Sequence, residues 1–465
     1  MRLSTPPRPL AALLLASALL ALPAAAGAKA GDTPTLQSAI GNPGDFTISG
    51  ATRLRYEALG GQARAGFGES EDLVSLRTVI TAEYRTGNVK IGGELWDSRV
   101  SGIQAGSVVT ANEVNTFELV QAHVTVALPN LFGKGSKTSV QMGRMMLNIG
   151  ARRLIAADDY RNTTNGYTGI RADTKLANGL AATVLYVLPQ SRLPEDLASF
   201  RRGKVQMDRE NFDTQLWGAF LSRQKLVGRA MGEVAYVGFA EKDAPGRPSR
   251  DRRLSSVSAR LMSDPVPGKW DYEVEGIHQF GTASGGTALT AARSDVSAWF
   301  VHADVGYIFP GSLKARVSLE YDYASGDGPG GKMGRFDTLY GMRRADFVPS
   351  GIYAAIGRTN ISTPGVRFEA APGKRLDGMA SYHPMWLANR FDSFSTTGVR
   401  DATGAAGNFA GHSFDGRIRW WAIPKALRAE VNASYIAKGR FLKDAPNAPR
   451  TGDTRYIAIA LTASY

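Results

Sequence analysis

The sequence contains no cysteine, and only 5 of its 465 residues are histidine. The missing cysteines exclude disulfide scaffolds, thiol nucleophiles and cysteine-ligated zinc together. The scarce histidines narrow acid–base chemistry. His123, His278, His302, His383 and His412 lie in no recognisable catalytic motif, and neither Gly-x-Ser-x-Gly nor His-Glu-x-x-His occurs. The nearest approaches to a dyad, His302 with Asp304 and His412 beside Ser413, read more simply as polar residues bonded to a neighbour. Long apolar runs are missing as well: beyond the N-terminal stretch, charged or polar residues interrupt each one within about ten residues, so no spanning helix is expected.

The N-terminal stretch has its own logic. Arg2 and Arg8 precede an apolar run from Leu10 to Leu22, and small residues follow at Ala24-Ala25-Ala26 and Ala26-Gly27-Ala28. A basic start, an apolar core too short for a bilayer and an A-x-A site make a signal peptide over residues 1–28, leaving residues 29–465 as a single domain. The net charge of +13 falls to about +11 without Arg2 and Arg8. Export makes nucleic acid an unsuitable partner for that charge, which leaves anionic membrane surfaces and acidic solutes.

What is abundant is alternation. From Ser312 to Tyr323, Leu313, Ala315, Val317, Leu319 and Tyr321 share one face, while Lys314, Arg316, Ser318, Glu320 and Asp322 share the other. Leu427, Ala429, Val431, Ala433 and Tyr435 likewise oppose Arg428, Glu430, Asn432 and Ser434. This two-residue period predicts strands near 45–59, 71–84, 89–101, 115–128, 137–143, 165–175, 180–188, 213–222 and 227–239. In the second half it predicts 254–262, 270–281, 296–309, 312–324, 361–371, 376–388, 412–422, 426–438 and 455–465, for a total of 18. Connections after even strands are short, such as Pro310-Gly311, whereas those after odd strands include long polar loops near 144–164, 189–212, 325–360 and 389–411. A soluble sandwich has no reason to sort loop length by parity. An all-β, transmembrane, antiparallel up-and-down barrel in the bacterial outer membrane does, with short turns facing the periplasm. The last predicted strand puts Ile457, Ile459, Leu461, Ala463 and Tyr465 on one face, similar to the terminal assembly signal of such barrels.

Two segments resemble the alginate-export family of outer-membrane proteins. The first runs Gly143-Arg144-Met145-Met146-Leu147-Asn148-Ile149-Gly150, then Arg152-Arg153-Leu154, Asp159-Tyr160-Arg161-Asn162-Thr163 and Gly169-Ile170-Arg171. The second runs from Tyr321 to Asp327 and continues through Phe336-Asp337-Thr338-Leu339-Tyr340, Arg343-Arg344, Phe347 and Gly351-Ile352-Tyr353-Ala354. The resemblance implies an 18-stranded barrel that passes an anionic polysaccharide, with pore arginines compensating carboxylates stripped of water. Guanidinium suits that task because it offers several donors to a planar carboxylate and keeps its charge. By position, Arg144, Arg152, Arg153, Arg161 and Arg171 are the first candidates, and Arg343, Arg344 and Arg358 the second. Outer-membrane lipid, lipopolysaccharide and periplasmic export components are the partners implied beside the polysaccharide or its oligosaccharides. No cofactor or metal is expected.

If apolar residues face lipid, the other face lines the pore, where eleven basic residues meet twelve acidic ones. Their distribution is uneven. The wall of strands 16, 17, 18, 1 and 2 has six basic residues, Arg53, Arg55, Arg77, Arg417, Arg419 and Arg428, against four acidic; strands 10 to 13 have three against six. The expectation is a transverse field with loop arginines at a constriction. An anion-selective or general porin for small solutes is the alternative reading, and a barrel enzyme a more distant third.

Overall fold

A computed structural model describes residues 33–158, 160–342, 346–347 and 352–465. Its strands are β1 (Phe46–Gly60), β2 (Glu71–Thr86), β3 (Val89–Ser101), β4 (Asn115–Pro129), β5 (Lys137–Met145), β6 (Tyr167–Lys175), β7 (Leu180–Pro189), β8 (Thr214–Val227) and β9 (Ala230–Glu241). There follow β10 (Arg253–Ser263), β11 (Trp270–Ser284), β12 (Arg293–Ile308), β13 (Arg316–Ala324), β14 (Ile361–Ala370), β15 (Leu376–Trp386), β16 (Phe409–Ile423), β17 (Leu427–Lys438) and β18 (Thr454–Ser464). Each pairs antiparallel with the next, and β1 pairs with β18, so the 18-stranded sheet closes on itself. Closure satisfies backbone groups that a hydrocarbon core would leave without partners. Among the described residues no helix is long and apolar enough to cross a membrane.

Alternation places the side chains as expected. Ile91, Val124, Met142, Leu319 and Ile418 are exposed on the outer surface, and Trp270 packs at a tilt against Tyr307 with ring centres 5.3 Å apart, an aromatic pair of the kind found at membrane interfaces. The seam is closed by Tyr465, whose backbone exchanges hydrogen bonds with Gly50 at 2.8 and 2.9 Å and whose hydroxyl lies 2.9 Å from the Thr52 hydroxyl.

Two predicted boundaries move by four residues or more. The strand expected from residue 312 begins at Arg316, because Lys314 takes a left-handed φ of 46° inside a turn; Lys314 therefore leaves the predicted pore wall. The strand expected to end at 222 runs on to Val227, past a register slip after Arg223, and turns back through Gly228-Arg229 alone. Hydrophobic alternation persists through Leu313-Lys314-Ala315 and could not reveal the first change, whereas it breaks at Ser222-Arg223-Gln224-Lys225, where a ladder continues that the pattern does not record. The predicted signal peptide lies outside the described residues.

Candidate pore constriction

The third outer loop, residues 146–166, does not extend outward from the barrel. Its Leu147, Ile149, Leu154 and Ile155 are buried in a cluster with Phe336, Phe347, Ile352 and Tyr353 of the seventh loop, residues 325–360. A loop bound for water would not carry that run of aliphatic residues, and removing such side chains from water is worth roughly 1.5–3 kcal/mol each. The two loops also pair by backbone: Ala156 N–H donates to the Tyr340 carbonyl at 3.1 Å, Tyr340 N–H to Leu154 at 3.0 Å and Met342 N–H to Arg152 at 3.0 Å. The 325–360 loop thus folds into the lumen and meets the third loop there.

Ion pairs fix this lid to the wall. Arg153 is buried; it donates to Asp346 at 2.8 Å and Glu273 at 2.6 Å and also binds Glu275. Arg358, fully buried, reaches Asp346 at 2.7 Å. Burial alone would raise the Asp346 carboxyl, but Arg153 and Arg358 outweigh it and hold the group below the usual carboxylate range. His302 Nδ1 lies 2.8 Å from Asp322 and not beside Asp304, which Arg316 takes instead. The His302, Asp322 and Asp346 groups lie close enough for a shared ion, yet two guanidiniums already occupy Asp346, so the cluster reads as a clasp.

Beneath the lid, on the wall of β16, β17, β18, β1 and β2, lies a cavity of about 260 Å³. Arg53, Arg55, Arg77, Arg152, Arg417, Arg419 and Arg428 line it with one carboxylate, Glu430. Tyr160, Met342, Asn432 and Ala460 complete the lining. Arg53 and Arg77 donate to the Arg161 carbonyl at 2.7 and 3.0 Å, and Arg419 reaches Asp377 at 2.9 Å. Arg152 is exposed toward this space with a left-handed φ of 62°. Like charges ~6 Å apart in a medium of effective dielectric ~20 repel by roughly 3 kcal/mol. A passing anion relieves that repulsion, which is what the arrangement can do chemically.

Of the predicted site residues, Arg53, Arg77, Arg152, Arg417 and Arg419 come together here. Arg153 and Arg358 do not: their guanidiniums are consumed by the clasp. Arg144 pins the fourth loop through Glu118 at 2.8 Å and Glu210 at 3.0 Å, and Arg161 is folded against Asp158 at 2.7 Å. Arg171 pairs with Asp173 at 2.7 Å and lines a separate recess of about 480 Å³ with Asn148 and Gly150. Arg343 and Arg344 lie outside the described residues. Arg55 and Arg428 belong to the cavity although they were expected only as wall charges; Arg55 follows Arg53 on the same strand face, which was the available signal. The expected acidic wall is present on β11 to β13 but not bare, since Arg316 pairs with Asp271 and Asp304, and Arg260 with Glu273 at 3.0 Å.

A closed barrel with short turns at one end, long loops at the other and two of those loops folded over an arginine-lined passage defines an outer-membrane channel. The chain belongs to the alginate export family, which matches residues 46–455, and its place is the bacterial outer membrane. Solved barrels share the fold at low identity. Acinetobacter baumannii OccAB1 aligns with a TM-score of 0.58 at 14% identity, covering 93% of this chain and 99% of its own. Pseudomonas aeruginosa OpdK aligns at 0.55 and 14%, over 90% and 99%. OccK2 (OpdF) of the same organism, solved in complex with glucuronate, aligns at 0.55 and 13%, over 90% and 96%. No curated protein sequence matches the chain.

Proposed function

We propose that this channel is a passive conduit for an anionic, uronate-bearing polysaccharide of the alginate kind, received from periplasmic export components. The observation that carries the reading is the cavity under the lid, whose lining has seven arginines and one carboxylate, Glu430, while Glu57 and Asp377 pair three of those arginines from beside it. Family membership supports the saccharide class, and a barrel of the same fold holds glucuronate. A second reading rests on size. A cavity of about 260 Å³ accommodates one sugar carboxylate but no chain unless the lid moves, which favours a porin for small acids.

Current through single channels in a planar bilayer separates the two when uronic-acid oligomers of increasing length are added. The polysaccharide reading predicts block that strengthens with length, is absent with neutral oligosaccharides and weakens in Arg419→Ala. Equal block by monomer and oligomer would favour the small-acid porin, and indifference to both would reject the saccharide reading.

A further inference from the structure

The lipid-facing wall of the barrel carries a deep groove. The register aligns Leu180, Arg223, Gly232, Leu261 and Val274 in a single row across β7 to β11. Gly232 contributes no side chain to that row, and a groove of about 690 Å³ opens over it, walled by Leu221, Leu226, Val234 and Val274. These four are exposed, so the groove faces the bilayer and not the lumen. Where the register slips between Arg223 and Val227, Lys225 adopts a left-handed φ of 57° and the Leu226 side chain lies across Gly232.

The charge at this groove sets its level and its ligand. Arg223 shares the outward face with Leu221, and an arginine there costs roughly 2–4 kcal/mol at the bilayer midplane but little near the interface. The Gly228-Arg229 turn is one of the short ones, which places the groove's lower end at the periplasmic surface. Trp270 marks the same level: it is 65% exposed, and its carbonyl accepts a hydrogen bond from Arg229. Arg223, Lys225 and Arg229 are all exposed, with Asp264 the acidic residue at the neighbouring turn, where Arg229 reaches its carbonyl at 3.3 Å. A flat apolar wall would suit a second barrel. A cleft one side chain wide, ending in cations, suits a flexible chain that ends in an anion.

We propose that the groove over Gly232 holds an anionic glycerophospholipid of the periplasmic leaflet, its acyl chain along Val234 and Leu221 and its phosphate beside Arg223 and Lys225. The long arginine and lysine stems lie against apolar surface while their charged ends meet the headgroup. This site is independent of whatever the lumen carries.

Native mass spectrometry of the purified barrel tests it, with phosphatidylglycerol or phosphatidylethanolamine of identical chains added to the detergent. One phosphatidylglycerol should persist on the wild type at collision energies that strip phosphatidylethanolamine. Arg223→Gln with Lys225→Gln should weaken its retention roughly tenfold, ~1.4 kcal/mol. Gly232→Val, whose side chain would push Leu226 aside into the groove, should lower retention of both lipids, and the heat-dependent gel shift of folded barrels verifies that each variant has assembled. Equal retention of the two lipids, retention indifferent to either variant, or a protein dimer in place of the lipid adduct would overturn the assignment.

Discussion

Arg152 and Arg153 are adjacent in sequence and have opposite roles. Arg152 is exposed toward the cavity, while Arg153 is buried among Asp346, Glu273 and Glu275. Replacing Arg153 by Ala strands those carboxylates in a poorly hydrated place, a loss of roughly 3–5 kcal/mol for a broken buried pair. The expected outcome is a noisier, more conductive channel with a lower denaturation midpoint; unchanged gating noise would contradict the clasp. Arg152→Ala should leave stability within about 0.5 kcal/mol, as exposed substitutions do, while reducing the preference for anions. Sequence position alone presented these two as equivalents. What separates them is the direction of each side chain on an irregular loop, and no periodicity encodes that.

Strands were the most legible elements, because a closed barrel forces one face outward along its whole length and alternation records it. The segment predicted near 137–143 is a strand, Lys137–Met145. Loops were harder. The aliphatic run Leu147, Ile149, Leu154 and Ile155 signals burial, but its partner is a segment nearly 200 residues away, and only tertiary contact reveals the pairing with Tyr340 and Met342. Two predictions belong here. At the seam, a Cβ on Gly50 would overlap the Tyr465 ring, so Gly50→Val should leave most of the protein unassembled on an unheated gel, and Gly50→Ala with Tyr465→Ala should recover the folded band. In the second loop, burial and the nearby Glu57 carboxylate push the Glu113 carboxyl up from 4.5 to about 7. The fold binds the proton more tightly than the unfolded chain, so this contribution weakens as pH rises between those values. Hydrogen-exchange protection of residues 110–114, corrected for intrinsic rates, should fall across that window and become flat in Glu113→Gln.

For the whole molecule, the charge that composition reports as +13 is distributed with a purpose. Its wall is near neutral by count, and ion pairs quench the acidic side. The basic residues gather on β16 to β2 beneath the lid, where Arg53, Arg55, Arg77, Arg152, Arg417, Arg419 and Arg428 meet and outnumber their acidic partners Glu57, Asp377 and Glu430. Alternation along the strands places those arginines on one wall but does not reveal the lid above it, which depends on two loops meeting across the lumen. Low-dielectric surroundings strengthen such a field, and a passing ion experiences it at close range. The reversal potential of single wild-type channels across a tenfold salt gradient reads this field directly. An arginine-lined passage predicts a potential of the sign set by anion flow, shrinking toward zero in Arg417→Ala with Arg419→Ala. A cation-selective reversal potential, or one that the double substitution leaves unmoved, would contradict it.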